Sequence, residues 1–106
     1  MKKFVFVYKG NGSKPADTME SVMNDWMNWM AGLGSAIVDG GNPFNDGGKV
    51  VTKSGVVDVV ASGALSGYTI VNAEGIDEVV EMAKSCPIHT QEGGVASVEV
   101  YEALPM

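Results

Sequence analysis

The sequence contains no arginine, and its 7 lysines are outnumbered by 13 acidic residues, which gives a formal net charge of −6. Proteins that bind nucleic acid present a basic surface, commonly with arginines that contact phosphate or guanine. We therefore expect no nucleic-acid partner. The missing guanidinium groups also argue against a site that clamps phosphates or carboxylates through two parallel hydrogen bonds.

Cysteine and histidine each occur once, as Cys86 and His89. A single cysteine forms no internal disulfide, and no cluster of ligands has the spacing of a metal site. No apolar run approaches the roughly 20 residues of a membrane span. The apolar run at residues 4–8 is also shorter than a signal-peptide core, which needs at least about 7 residues. We expect a cytoplasmic protein with no metal, no cofactor and no contact with a membrane.

The patterns that are present predict two helices and several strands in one domain, residues 1–106. Residues 4–8 mix aromatic and β-branched side chains, as strands do. A first helix is expected to begin at Asp17, with Glu20 completing a capping box. Its predicted inner face has apolar residues at helical spacing, which are Met19, Val22, Met23, Trp26, Met27, Met30 and Leu33.

The rest of the chain continues with short elements. A brief apolar segment at residues 36–38 is followed by a glycine-rich loop, and a hairpin is predicted from 49–53 and 56–60 around a Ser54-Gly55 turn. Residues 61–66 are expected to be a linker, and strands are expected at 67–72 and 95–102. A second helix at 75–85 is predicted to bury Ile76, Val79, Val80 and Ala83.

This order predicts an α+β fold, a ferredoxin-like split βαβ sheet with an inserted hairpin and both helices on one face. The first strand is apolar on both sides, because Val5 and Val7 alternate with its aromatic residues. An uncovered apolar face of this size is unusual on a monomer. We therefore expect a homodimer formed through the open sheet face around a two-fold axis, which also accounts for a 45% apolar composition.

Several short motifs occur in an order typical of a known family. They are Leu33-Gly34, Ile37-Val38-Asp39-Gly40-Gly41, Leu65-Ser66-Gly67-Tyr68-Thr69-Ile70-Val71, the acidic segment at 77–83, Cys86-Pro87, Gly93-Gly94 and Ser97-Val98-Glu99-Val100-Tyr101. Together they resemble the YCII-related (DGPF) family over nearly the whole chain. The resemblance implies a single YCII-like domain, a dimeric α/β barrel and an enzyme-like pocket.

The sequence departs from that family at two positions. The hairpin site where such proteins carry Asp-Gly-Pro-Phe reads Ser54-Gly55-Val56-Val57, so the motif that gives the family its name is absent. The first helix also lacks the histidine that some YCII-like members place there as an acid/base group. Any family chemistry that depends on these residues is not expected in this chain.

Two residues are candidates for proton transfer. Asp39 follows the second strand, where it could act as a base or ligand anchor, or could hydrogen-bond its own loop backbone as turn aspartates do. His89 is the second candidate, because histidine is the residue type most often used for acid/base work near neutral pH; it could instead be an exposed loop residue. Cys86 is not expected to be a nucleophile, because the C-terminal end of a helix does not lower a thiol pKa.

Three aromatic residues are candidates for binding a small apolar ligand: Trp29, Phe44 and Tyr68. The alternative for Trp29 is that it seals the seam between helix and sheet, whereas Trp26 is expected at the centre of the buried helix face. Three functions thus remain open from the sequence. They are proton transfer on a small cyclic or aromatic metabolite, ligand binding or sensing without catalysis, and interaction with another protein.

Overall fold

The computed structural model describes residues 1–10, 19–45, 47–60, 64–90 and 96–106. Within these residues the chain forms six strands and two α-helices. They are β1 Lys2–Lys9, α1 Met19–Leu33, β2 Ile37–Asp39, β3 Lys49–Thr52, β4 Gly55–Asp58, β5 Leu65–Ala73, α2 Ile76–Lys84 and β6 Ser97–Ala103. Short 3-10 helices follow the α-helices at Gly34–Ala36 and Pro87–Thr90. The predicted capping residue Asp17 lies outside the described residues.

Four strands form one sheet in the order β2-β5-β1-β6, and every neighbouring pair is antiparallel. The first strand of the chain is therefore central, and β2 and β6 are the two edges. Together with two helices this confirms the α+β class and is compatible with the predicted ferredoxin-like topology. No helix in the described part of the chain is long and apolar enough to cross a membrane.

The core lies between one face of this sheet and the two helices. Phe4 and Phe6 of β1 are fully buried, and Val71 of β5, which pairs with Phe4, is equally inaccessible. Successive side chains in a strand point to opposite faces, so this set defines the covered face of the sheet. The helices complete the core with Trp29, Val79 and Ala83, which belong to the same buried cluster as these strand residues.

Each helix buries a narrower stripe than the sequence predicted. Met23 and Met27 of α1 are 55% and 62% exposed, although they were expected on its inner face. Ile76 and Val80 of α2, also predicted to be buried, are 46% and 39% exposed. The predictions for these four residues were wrong, because periodicity gives the direction of an apolar stripe but not how much of it a four-stranded sheet can cover.

The inserted hairpin is a separate two-stranded sheet formed by β3 and β4. Thr52 pairs with Gly55, so the turn residues are Lys53 and Ser54, one position earlier than predicted. All eight strand residues of this hairpin are exposed. The predicted linker at 61–66 was partly wrong as well, since Leu65 and Ser66 begin β5.

Candidate functional site

The open face of the sheet is the side opposite the helices. Val5 and Val7 of β1 point to it, and the register places Ile70 and Tyr68 of β5 directly beside them. These four residues are half-buried in the isolated chain. No described helix packs on this face, because the buried residues of both helices belong to the cluster on the covered side.

Phe44 and Tyr68 form an aromatic pair at the margin of the open face. Their ring centroids are 5.8 Å apart and the rings are inclined by 28°, which is a stacked arrangement. The backbone amide of Phe44 donates to the carbonyl of Ser66 at 2.9 Å, and Pro43 forms a bridge with Gly67. This pairing extends the β2 edge and fixes Phe44 beside Tyr68, while 45% of Phe44 stays exposed.

Trp29 lies on the other side of the sheet from that aromatic pair. It is 8% exposed and contacts Phe6, with ring centroids 5.8 Å apart. Its indole N–H donates to the carbonyl of Met82 at 3.2 Å and to the hydroxyl of Ser85 at 3.1 Å. The structure therefore brings together Phe44 and Tyr68 of the three candidate ligand residues, and places Trp29 where it joins the two helices.

The two tryptophans also exchange the positions that the sequence predicted. Trp26 was expected at the centre of the buried face but is only half-buried, whereas Trp29 is in the core. Trp26 packs edge-on against Tyr8 and against Trp29, with ring centroids 4.9 and 5.7 Å apart. The hydrogen bonds of Trp29 explain the exchange, since a buried indole needs an acceptor, and Met82 of α2 and Ser85 immediately after it supply two.

Asp39 ends β2 and is exposed. Its Oδ1 accepts a hydrogen bond from the backbone amide of Gly41 at 2.9 Å, which is the local turn arrangement considered as its alternative role. The register between β2 and β5 shifts at this point, so the chain bulges away from regular pairing. Asp39 thus holds the shape of the bulge that leads to Phe44.

His89 lies in the 3-10 helix after α2 and is exposed. Its Nε2 is 3.0 Å from the carbonyl oxygen of Ala83, so the protonated nitrogen can donate to the last turn of α2. Asp39 belongs to one edge strand, whereas His89 precedes the opposite edge strand, β6. Among the described residues no hydrogen bond or ion pair joins them, and each is held by nearby backbone instead.

A chain of buried hydroxyl groups connects the core to the bulge, and sequence reasoning missed it. The Tyr8 hydroxyl donates to Oγ1 of Thr69 at 2.8 Å, and Thr69 donates to the carbonyl of Gly40 at 3.0 Å. Burial raises the pKa of Tyr8 far above its ordinary range, so the phenol stays protonated and remains a donor. A tyrosine on the same strand face as Phe4 and Phe6 was the available signal, since buried hydroxyls need partners.

Gly41 allows the bulge to approach β5 closely. Its φ is +76°, and a Cβ at this position would lie 1.6 Å from the carbonyl oxygen of Tyr68. Only glycine fits such a conformation and such a close approach. The bulge, the hydroxyl chain and the aromatic pair are therefore coupled through the segment from Asp39 to Phe44.

Cys86 belongs to the buried core cluster and is 1% exposed. Burial raises the pKa of its thiol to about 11, so the thiolate required of a nucleophile is scarce at neutral pH. Within the described residues, no group of three or more histidine, cysteine, aspartate or glutamate side chains could hold a metal ion.

A polar network occupies the β6 side of the open face. Lys9 and Glu99 form an ion pair at 2.6 Å, and the hydroxyl of Tyr101 donates to the second carboxylate oxygen of Glu99. The hydrogen bonds from Lys9 and Tyr101 lower the pKa of Glu99, and the same carboxylate raises the pKa of Tyr101. The open face therefore has an apolar centre, an aromatic margin at β5 and a charged margin at β6.

Comparison with protein-family models finds no match for this chain, and a search of curated proteins finds no relative.

Proposed function

We propose that this protein is a homodimer that assembles through the open sheet face, as a dimeric α/β barrel, and binds a small, largely apolar ligand. The observation that carries the proposal is the apolar centre of that face, formed by Val5, Val7 and Ile70. Two such faces related by a two-fold axis are self-complementary, because each presents the same strip to the other. The polar margin with Lys9 and Glu99 supplies the rim that stable interfaces commonly have.

The ligand site of this proposal is the aromatic pair of Phe44 and Tyr68. A stacked pair that leaves 45% of Phe44 exposed offers an aromatic surface without a partner in the described chain. Flat apolar molecules bind such surfaces through offset stacking and burial of ring area. Asp39 begins the segment that leads to Phe44, and its carboxylate is an acceptor for a ligand that carries a hydrogen-bond donor.

Binding is the better supported function because no described hydrogen bond or ion pair joins the two candidate acid/base residues. Asp39 accepts from the amide of Gly41, and His89 lies against the carbonyl of Ala83. General acid/base catalysis by such a pair requires both groups within hydrogen-bond reach of one substrate. Their hydrogen bonds to different backbone segments favour ligand binding or sensing over proton transfer.

Family and location complete the proposal. A YCII-like domain is supported by the quoted motifs, which fall on β2, β5, α2 and β6 in the order that the resemblance implies. A cytoplasmic location is supported by the single buried cysteine, Cys86, because disulfides are the usual feature of proteins that fold in oxidising compartments.

An NMR titration with indole, as a small apolar probe, tests the ligand site. We expect shifts of the Tyr68 and Phe44 ring signals, and we expect Tyr68→Ser to weaken binding at least tenfold. Tyr101→Ser is the matched control, because Tyr101 is exposed on the same face but is tied to Glu99. Tryptophan fluorescence is a poor reporter here, since Trp29 lies behind the sheet.

Two results would contradict the proposed site. One is equal weakening by Tyr68→Ser and Tyr101→Ser, which would indicate a nonspecific apolar surface. The other is a set of indole-induced shifts confined to Trp26 and Trp29, which would move the site to the covered side of the sheet.

A further inference from the structure

The β3–β4 hairpin carries four valines that nothing in the described chain covers. Val50 pairs with Val57 and Val51 pairs with Val56, so the two valine pairs lie on opposite faces of the ribbon. Their exposed fractions run from 42% for Val50 to 74% for Val51. A ribbon that is apolar on both faces is built to be covered by another surface.

The hairpin is also separate from the four-stranded sheet. Among the strands that the structure describes, β3 and β4 pair only with each other. A two-stranded hairpin alone is at best marginally stable in water and requires packing against another element. The radius of gyration of 14.8 Å exceeds the roughly 13 Å expected for a compact domain of this length, which agrees with elements that project from the body.

We propose that this hairpin is a dimerisation arm that packs its valines against a second copy of the chain. The inference rests on the proposed homodimer and adds a second contact to its open-face interface. Charge favours a second copy as the occupant. Lys49, Lys53 and Asp58 give the hairpin a net charge of +1, and since the chain carries −6, the remainder carries −7. A weakly basic arm is thus attracted to the acidic body of another copy.

The area of the open face also favours a second copy of the chain as the partner of the hairpin. Four strands spaced by about 4.8 Å, with about seven residues each, present a face of about 450 Å². Stable interfaces bury about 800 Å² on each partner. This flat area omits side-chain relief, but part of it is the charged margin of Lys9 and Glu99. Two arms, one from each copy, add further apolar contact to the limited apolar part of the sheet face.

Sedimentation equilibrium over a range of concentrations tests the arm. The variant Val51→Thr/Val56→Thr keeps β-branched residues, so the hairpin can still form, but it removes the apolar contact. Val50→Thr/Val57→Thr does the same for the opposite face. We expect at least one of these variants to raise the dimer dissociation constant at least tenfold. Val60→Thr, which changes an equally exposed valine outside the hairpin, is expected to behave like the unmodified chain.

A separate variant, Ile70→Lys, disrupts the open face and distinguishes the arm from the open-face interface. If Ile70→Lys dissociates the dimer and both hairpin variants leave it unchanged, the arm is overturned and the open-face dimer stands. If a hairpin variant dissociates the dimer and Ile70→Lys does not, the arm stands and the open-face interface is wrong. An unmodified chain that stays monomeric at every concentration overturns both. Near-UV circular dichroism confirms in each case that the core has folded.

Discussion

The two faces of the four-stranded sheet are made by the same strands and differ in what lies on them. On the covered face, Phe4 and Phe6 are fully buried beneath the helices. On the open face, Val5 and Val7 are only half-buried, although they alternate with those phenylalanines in β1. Antiparallel sheets commonly alternate apolar and polar side chains, and strands covered on both sides do not. The composition of β1 is that of a strand with two covered faces, which is why we infer a second subunit.

The largest expected effect is a difference in the free energy of unfolding between substitutions on the two faces. Phe6→Ala removes a ring that is completely buried and packed on Trp29, so it should destabilise the fold by about 3–5 kcal/mol. Val7→Ala, on the open face, should cost much less in the monomer. Urea denaturation at protein concentrations low enough to avoid association measures both values. Equal losses would mean that the open face is already covered within one chain.

Substitution of one glycine should disrupt the bulge that leads to Phe44. Gly41→Ala should destabilise the protein by about 2 kcal/mol or more, because a positive φ and a contact with the Tyr68 carbonyl both oppose a Cβ. Gly40→Ala is the matched control, since a Cβ at Gly40 meets nothing within 4 Å. Thermal denaturation compares them, and a tolerated Gly41→Ala would contradict the described path of the bulge.

Tyrosine hydroxyls offer a smaller comparison between the faces. Tyr8→Phe leaves Thr69 without its donor and should cost about 1 kcal/mol, because the lost hydrogen bond is buried. Tyr101→Phe removes a hydrogen bond on the exposed margin and should have a smaller effect. Urea denaturation of the two variants measures the difference. A larger loss of stability from Tyr101→Phe would show that the hydrogen bond on the open face contributes more than the buried hydrogen bond of Tyr8.

The smallest expected effect is a pH dependence that arises on the open face. The pKa of Glu99 is lowered by Lys9 and Tyr101, so its contribution to stability is present above the pKa of the unfolded chain. It is lost as the pH falls through the lower pKa of the folded state. Melting temperatures between pH 3 and 6 should therefore decline less for Glu99→Gln than for the unmodified chain.

Glu102→Gln serves as the control for that titration, because Glu102 is also an exposed carboxylate of β6. It should leave the slope of melting temperature against pH as it is in the unmodified chain. The account of Glu99 would be wrong if the two variants had the same slope.

Much of the fold could be predicted from the sequence because local patterns determine it. The alternation at Phe4, Phe6 and Tyr8 identified the central strand, and the helical spacing at Val79 and Ala83 identified the buried side of α2. The turn in the hairpin was displaced by one residue, since both Lys53-Ser54 and Ser54-Gly55 suit a short connection. Such boundaries depend on pairing register, which a single strand does not specify.

The candidate site was less predictable because it depends on contacts between distant segments. Phe44 and Tyr68 were proposed together from their residue type, and β5 pairing brings them into contact. Trp29 was proposed with them, but its two acceptors, in and just after α2, hold it on the other side of the sheet. The strand face of Tyr8 indicated a buried hydroxyl, but its partner Thr69 depends on cross-strand register, which no local pattern reveals.

The central claim is that the open face is covered by a second copy in solution. A soluble paramagnetic probe, which broadens the methyl signals of exposed residues, tests it directly by NMR. We predict that Val5, Val7 and Ile70 are protected at high protein concentration nearly as well as the core residue Val71, and become accessible on dilution. Broadening of these methyl signals that does not change with protein concentration would contradict the claim.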